Sequence, residues 1–385
     1  MTRINTAFLR SLISRKLVGL FIFMTLFGLN AFSNEPQGAN HGEEHAVEAP
    51  HSEGEHAEGE HSEEEHEGFD AGHMIMHHVL DAHEWHIMDI GDHAISIPLP
   101  IIIYDKEKGL TMFLSSKFKH GHAAYEGYII ENEKIYLESE KHLPVEERAS
   151  VLDFSITKNV TGIFVSAILL LWIFLSIAKS YKKREGKSPK GMQSLIEPII
   201  IFVRDELAKP SIGKGYEKFM PFLLSVFFFI WINNLLGLVP IAPGGANVTG
   251  SIGVTMVLAV FTFVITHAVA KKAYWKHIFL PPVPPALWII LIPVEIMGMF
   301  IKPFVLMVRL FANITAGHII ALGFMSLIFI FGETSFGGGI GAGIFSTAFT
   351  VFMTLLELLV AFIQAYVFTF LSALYFGTAI EEDHH

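Results

Sequence analysis

The sequence predicts an all-α membrane protein with about five membrane-crossing helices, and three observations carry that expectation. The 385 residues are 51% apolar with a mean hydropathy of +0.46. The apolar residues gather into runs long enough to span a bilayer, for which about 20 residues suffice. The net charge of −11 is uneven, with most of the acid before residue 150 and few charges beyond. Hydropathy excludes a soluble enzyme. An acidic chain with no basic stripe is no partner for nucleic acid. The absence of cysteine removes disulfide scaffolds, thiolate metal sites and cysteine nucleophiles.

The elements follow in chain order. Residues 1–33 have the layout of a signal peptide: Arg3, Arg10, Arg15 and Lys16, then an apolar core over 17–31, then Ala31-Phe32-Ser33 as a small-residue cleavage site. Residues 34–93 form a low-complexity His/Glu-rich tail, expected to be disordered and extracytoplasmic because so polar a stretch cannot bury a core. Twelve of the twenty histidines lie between His41 and His93, at irregular spacing that implies no rigid ligand pair. Residues 94–158 carry β-like runs, AISIPLPIIIY, GLTMFLS and GYIIENEKIYL, expected as a small extracytoplasmic hairpin.

The first membrane helix is expected at 159–178. Lys179, Lys182, Lys183, Arg184, Lys187 and Lys190 follow it and place that loop in the cytoplasm. Residues 190–209 form an amphipathic helix suited to the cytoplasmic interface. Second and third membrane helices are expected at 219–239 and 249–270, the latter closed by Lys271, Lys272 and Lys276. The fourth (278–331) and fifth (344–376) read as a long, tilted hairpin about the glycine-rich turn 332–343. Residues 377–385 end the chain as a cytoplasmic tail.

Ionisable groups inside a bilayer cost at least about 2.5–3.5 kcal/mol at mid-helix, so each is a functional candidate. The last two helices hold Glu295, Lys302, Arg309, His318 and Glu357, with Asn313 and Gln364 as further polar groups. Glu295, Lys302 and Arg309 are spaced by seven, which keeps them near one helix face. Asn313, four residues beyond Arg309, shares that face. His318, nine beyond Arg309, points about 180° away. Glu357 and Gln364, again seven apart, share a face of the last helix. Arginine holds its charge at any ordinary pH, so it serves as a fixed cation rather than a proton carrier. Histidine and a buried glutamate can exchange protons near neutrality.

The segment MVRLFANITAGHIIALGF (307–324) resembles the arginine-bearing helix of F-type ATP synthase a subunits, through Arg309, Leu310, Phe311, Ala312, Asn313, Ala316, Gly317 and His318. IPVEIMGMFIKPF upstream is similar through Glu295 and Pro303, and LLELLVAFIQAYVFTFLSALYF (355–376) through Gln364 and Tyr375. NNLLGLVP and NVT match more weakly, and the resemblance covers roughly 160–380. Some bacterial members carry Glu then His on these two helices. Here His318 precedes Glu357, which resembles mitochondrial members.

The resemblance implies proton translocation through two offset half-channels at the interface with a rotating c-ring, coupled to ATP synthesis. Arg309 would separate the half-channels. His318, Glu357, Gln364 and Asn313 would line the outer one, and Glu295 the cytoplasmic one. It further implies a non-catalytic subunit with no cofactor and no metal, in a bacterial inner membrane. Its partners would be the c-ring, peripheral-stalk b subunits and lipid. No GxxxxGK[ST] loop is present, so nucleotide chemistry falls to other subunits. The alternative is a divalent-metal (zinc) transporter fed by the His-rich tail. It wants His or Asp ligand pairs at i, i+4 within membrane helices, and only His267 and His318 lie in those runs. Deleting residues 41–70 is expected to leave ATP-driven pumping at the wild-type rate in an assembled complex. Lost pumping in vesicles that retain full assembly would show that the tail takes part.

Overall fold

Alternating apolar and polar residues build the module that precedes the first long helix. The computed structural model describes residues 80–90, 93–106, 108–131, 133–143, 151–184, 187–239, 244–334 and 336–381, with Gly72. The expected signal segment, most of the His/Glu-rich tail and residues 382–385 lie outside them. Strands β1 (Glu84–Ile90) and β2 (His93–Pro98) form an antiparallel hairpin. Strand β3 (Pro100–Asp105) lies between β4 (Gly109–Leu114) and β7 (Leu152–Asp153), antiparallel to both. Strands β5 (Tyr128–Glu131) and β6 (Lys134–Leu137) make a second hairpin. The period of two sends Ile101 and Ile103 inward to Phe118, Tyr128 and Ile135. Strand β1 lies inside the stretch expected to be structureless. Its pairing with β2 comes from EWHIMDI, where the apolar alternation is interrupted by a histidine and an aspartate and so escaped a composition-based reading.

The module is fixed to the first long helix, α1 (Lys158–Lys183), by its own backbone. Phe154 N donates to Ile102 O (2.8 Å) and Ile156 N to Pro100 O (3.0 Å), which carries the sheet pairing to within two residues of the helix. At the helix N-terminus the Asp81 carboxylate accepts from Thr157 Oγ1 (2.7 Å) and Asn159 N (2.9 Å). Thr157 is the N-cap residue, and Lys158 N donates to Ala82 O. A carboxylate here satisfies an orphan amide and complements the helix dipole. Next to it His83 is buried, with Nε2 2.7 Å from Asp153 and Nδ1 3.8 Å from Glu133. Burial alone would lower the imidazole pKa. The Asp153 hydrogen bond, with Glu133 and both negative charges, overrides it and pushes His83 up to about 10. Burial raises Asp153 in turn, but its bond to His83 leaves that carboxyl below its ordinary value.

The remainder is helical. Helix α2 (Met192–Phe202) passes through a π turn (Val203–Ala208) into α3 (Lys209–Ile212). Then come α4 (Met220–Gly237), α5 (Ile252–Val269), α6 (Lys272–Phe279), α7 (Trp288–Thr334) and α8 (Phe336–Ile380). The π turn swings Arg204 inward, where it is 7% exposed and grips Asp205 through Nε (2.9 Å) and Nη2 (2.8 Å). The Arg204 bond outweighs burial and, aided by Lys209, holds Asp205 down to about 2. Among the described residues, five helices are long and apolar enough to cross a membrane: α1, α4, α5, and the spans Pro285–Gly332 and Ile340–Ile380. Helix α4 is the core, with 72% of its apolar window buried against 6% for α7.

Two boundaries differ from the sequence expectation. The fourth long helix starts at Trp288, not 278, because Pro281, Pro282, Pro284 and Pro285 crowd four missing amide donors into five residues, a density that the isolated Pro293 and Pro303 inside the helix do not reach. The glycine-rich segment expected as a turn is helical from Phe336 onward, so the break between α7 and α8 is far shorter than 332–343. A helical glycine costs only about 1 kcal/mol relative to alanine, a penalty that helix–helix packing can outweigh. At the other end of α8, Gly377 permits close approach to α3, since a Cβ there would stand 2.0 Å from Ser211 O.

Replacing His83 leaves Asp153 and Glu133 without their counter-charge. His83→Gln is expected to destabilise the 80–154 module by about 3 kcal/mol, read as a lower midpoint for heat-induced protease cleavage there. The sign with pH follows from the raised pKa: the wild-type contribution is complete below pH 6.5 and is lost as the pH climbs towards about 10. The variant should lack that slope, and an equal slope in both proteins would count against the ion pair as its source.

Candidate functional site

Helices α7 and α8 run antiparallel and pack along their shared face. Phe324 meets Phe349 with ring centroids 3.7 Å apart, and Ser346 Oγ donates to Phe324 O. Gly317 lets the glutamate of the partner helix come close, for a Cβ at that position would stand 2.8 Å from Glu357 Oε1. His318, one residue on, places Nδ1 3.5 Å from Glu357 Oε1, and the two side chains are 20% and 13% exposed. That oxygen is buried and makes no hydrogen bond among the described residues.

A cavity of about 20 Å³, room for one water, opens beside this pair; Asn234, Asn313, His318 and Glu357 contribute its polar wall. Asn234 comes from α4. Its amide donates to Ala361 O (3.3 Å) and accepts from Thr249 Oγ1. Spacing on the last two helices could not reveal Asn234. The available signal was the Asn233-Asn234 pair inside an otherwise apolar run. The wheel set Asn313 on the Arg309 face, whereas in the structure it also borders the His318 cavity. Five residues of helix separate it from His318 by about 140°, so it occupies the edge between two faces.

Arg309 lies on the other side. It is exposed, and its guanidinium has no hydrogen bond or ion pair among the described residues. Its charge reaches Tyr375 on α8. Lys302 sits 5.8 Å over the Tyr375 ring. Gln364 is 6% exposed. It is seven residues from Glu357, as Arg309 is nine from His318, so the antiparallel pair brings Arg309 and Gln364 to within about 3 Å of the same height. Glu295, 14 residues before Arg309, is about 21 Å along α7. It is half-buried and acts on the Tyr274 phenol of α6, which burial and then the Glu295 charge push above its ordinary pKa. The six sequence candidates thus divide into a paired cluster, an unpaired cation with a buried amide at its height, and a separate carboxylate.

Comparison with known proteins places this geometry in context. The family model described as ATP synthase A chain matches residues 160–377. A second model, Domain of unknown function (DUF8433), matches 74–154, the β module. ATP synthase subunit a of Chlorobium phaeobacteroides is 36% identical over 376 residues, covering 94% of this chain and 91% of the relative. Subunit a of Chloroherpeton thalassium is 46% identical over 249 residues, 63% of this chain and 72% of the relative. That of Myxococcus xanthus is 43% identical over 241 residues, 61% and 76% respectively.

Proposed function

The chain belongs to the ATP synthase A chain family, and from that premise we propose that it conducts protons through two offset half-channels beside the rotating c-ring. The observation that carries the reading is the division just described. An unpaired, permanently charged guanidinium faces outward, while a His–Glu pair lines a water-sized cavity turned away from it.

In this reading protons enter from outside at His318 and Glu357, with Asn313 and Gln364 completing the polar wall. The 3.5 Å gap between His318 Nδ1 and Glu357 Oε1 suits a bridging water that lets either group give or take the proton. The proton then passes to a ring carboxylate. Arg309 lowers the pKa of each carboxylate that arrives opposite it and so drives proton release. Release runs to the cytoplasm past Glu295. The orientation rests on the basic loop after α1, which is placed inside. The β module is then outside and the C-terminus cytoplasmic, in a bacterial inner membrane. The subunit binds lipid and the peripheral-stalk b subunits and carries out no nucleotide chemistry. The divalent-metal alternative gains no observation, and the Arg309 charge opposes a cation path.

Arg309→Ala is expected to abolish ATP-driven acidification of vesicles while blotting shows the subunit and ring fully assembled. Undiminished pumping would overturn the reading. Gly317→Ala probes the outer pair. Its new methyl forces the Glu357 carboxylate aside, because 2.8 Å is too close for a Cβ contact. Passive proton flux through vesicles stripped of the catalytic sector should fall, by up to about 100-fold, as misplacement of a reacting group does. Unchanged flux would remove the His318–Glu357 contact from the route.

A further inference from the structure

About 21 Å of α7 separates Arg309 from Glu295, too far for one proton transfer. Between them is a second cavity of about 20 Å³, again room for one water. Its walls come from four helices and include Thr266 and His267 of α5, Tyr274 of α6, Lys302 and Pro303 of α7, and Tyr375 of α8. His267 and Tyr274 have no part in the function proposed above.

Their geometry is that of a relay. His267 Nδ1 is 2.7 Å from Phe263 O, and a carbonyl can only accept, so Nδ1 carries a proton. In the neutral ring Nε2 is then the free acceptor, 3.3 Å from the Tyr274 hydroxyl. The ring is held by edge and face contacts to Phe263 (4.1 Å), Trp275 (5.7 Å) and Tyr274 (5.8 Å), which fix its direction. Lys271 N donates to Ala379 O, tying the α5–α6 junction to the end of α8. The charged and titratable groups that share this cavity with His267 are Tyr274 from α6, Lys302 from α7 and Tyr375 from α8, and the Glu295 charge of α7 acts on Tyr274. Lys271, Lys272, Lys276 and His277 of the adjoining segment are exposed.

We propose that His267 and Tyr274 form the cytoplasmic arm of the proton route, linking the cavity beside Lys302 and Tyr375 to the Glu295 carboxylate. The proposal rests on the proton-conduction reading above. In one transfer, Nε2 takes the excess proton from a protonated water in the cavity, leaving neutral water, and the ring becomes an imidazolium with Nδ1–H still bonded to Phe263 O. The Tyr274 hydroxyl turns and accepts from Nε2–H. Nε2 then releases the proton to water on the Glu295 side, and the neutral ring and its bond from Tyr274 return. One proton enters and one leaves.

The test uses the complete synthase in inverted vesicles, where the cytoplasmic face meets the buffer. Passive proton flux, measured after removal of the catalytic sector, is followed against external pH for wild type, His267→Gln and Tyr274→Phe, with assembly scored by blotting. In His267→Gln the flux should drop on the order of tenfold, less than the full contribution of a proton-transfer group because water partly substitutes. The step in the pH profile of flux that proton uptake at the imidazole produces should vanish. Tyr274→Phe should slow flux and keep the step. Wild-type flux and pH profile in assembled His267→Gln would overturn the proposal. A uniform drop at every pH would also overturn it, since that marks a packing role. Should His267→Gln not assemble, Tyr274→Phe decides alone: wild-type flux there counts against the relay. Arg309→Ala in the same inverted vesicles, tested before the catalytic sector is removed, separates the two levels. If it still pumps on ATP, the conduction reading fails whatever His267 does.

Discussion

A guanidinium cannot shed its charge, and Arg309 holds one on an exposed face of α7 with no hydrogen bond or ion pair among the described residues. The surroundings follow from that constraint. Helix α7 cannot be the buried centre of the bundle, since burying an unpaired charge costs several kcal/mol. Packing therefore falls to α4, whose apolar window is 72% buried while that of α7 is 6% buried. The apolar side chains of α7 that flank the arginine, among them Phe304, Val305 and Val308, are left exposed. An apolar face carrying such an unpaired cation is stable in a membrane against a surface that is itself apolar and supplies an anion. In the proposed assembly the ring carboxylate is that anion.

Much of this was legible in the sequence because the controlling features are periodic. Seven-residue spacing put Glu295, Lys302 and Arg309 near one face, and nine residues turned His318 away from Arg309. The meeting of His318 with Glu357 required knowing the register between two helices, which spacing within either one does not hold. Asn234 and Tyr274 reach the two cavities from third elements and were not singled out for the same reason. Boundaries erred where a local rule met a tertiary one. Residues 278–287 were read as part of the fourth helix on hydropathy although the proline cluster 281–285 interrupts it, and 336–343 as a turn on glycine content although the segment is helical. Strand β1 was hidden by its histidine and acidic residues.

The β module bears on rigidity. The pairing of 154–156 with β3, the Asp81 cap and the His83 clamp leave no free linker between module and α1. Helix α1 in turn meets α4 through Phe174 against Phe228, and α4 meets α8 through Phe227 against Phe362. A displacement at the α7–α8 hairpin is thus opposed by a packed path that ends in a hydrogen-bonded sheet.

The two cavities raise the question of why water does not simply connect them. His318 and Lys302 are 16 residues apart on α7, about 24 Å. The inward side chains between them are Leu306, Met307 and Leu310, exposed by only 2%, 8% and 1%. They join one cluster with Ala365, Phe368 and the core of α4. An apolar plug packed at interior density leaves no room for water. The outward side of the same stretch carries Arg309. A proton arriving at the outer cavity in the proposed route therefore meets packed, mostly apolar side chains beside the buried Gln364 amide inward, and a fixed cation outward. In the proposed route the proton has to leave the subunit on a mobile carboxylate, and the plug together with the arginine makes that departure obligatory. Coupling in this view depends as much on Leu306, Met307 and Leu310 staying tightly packed as on any titratable group.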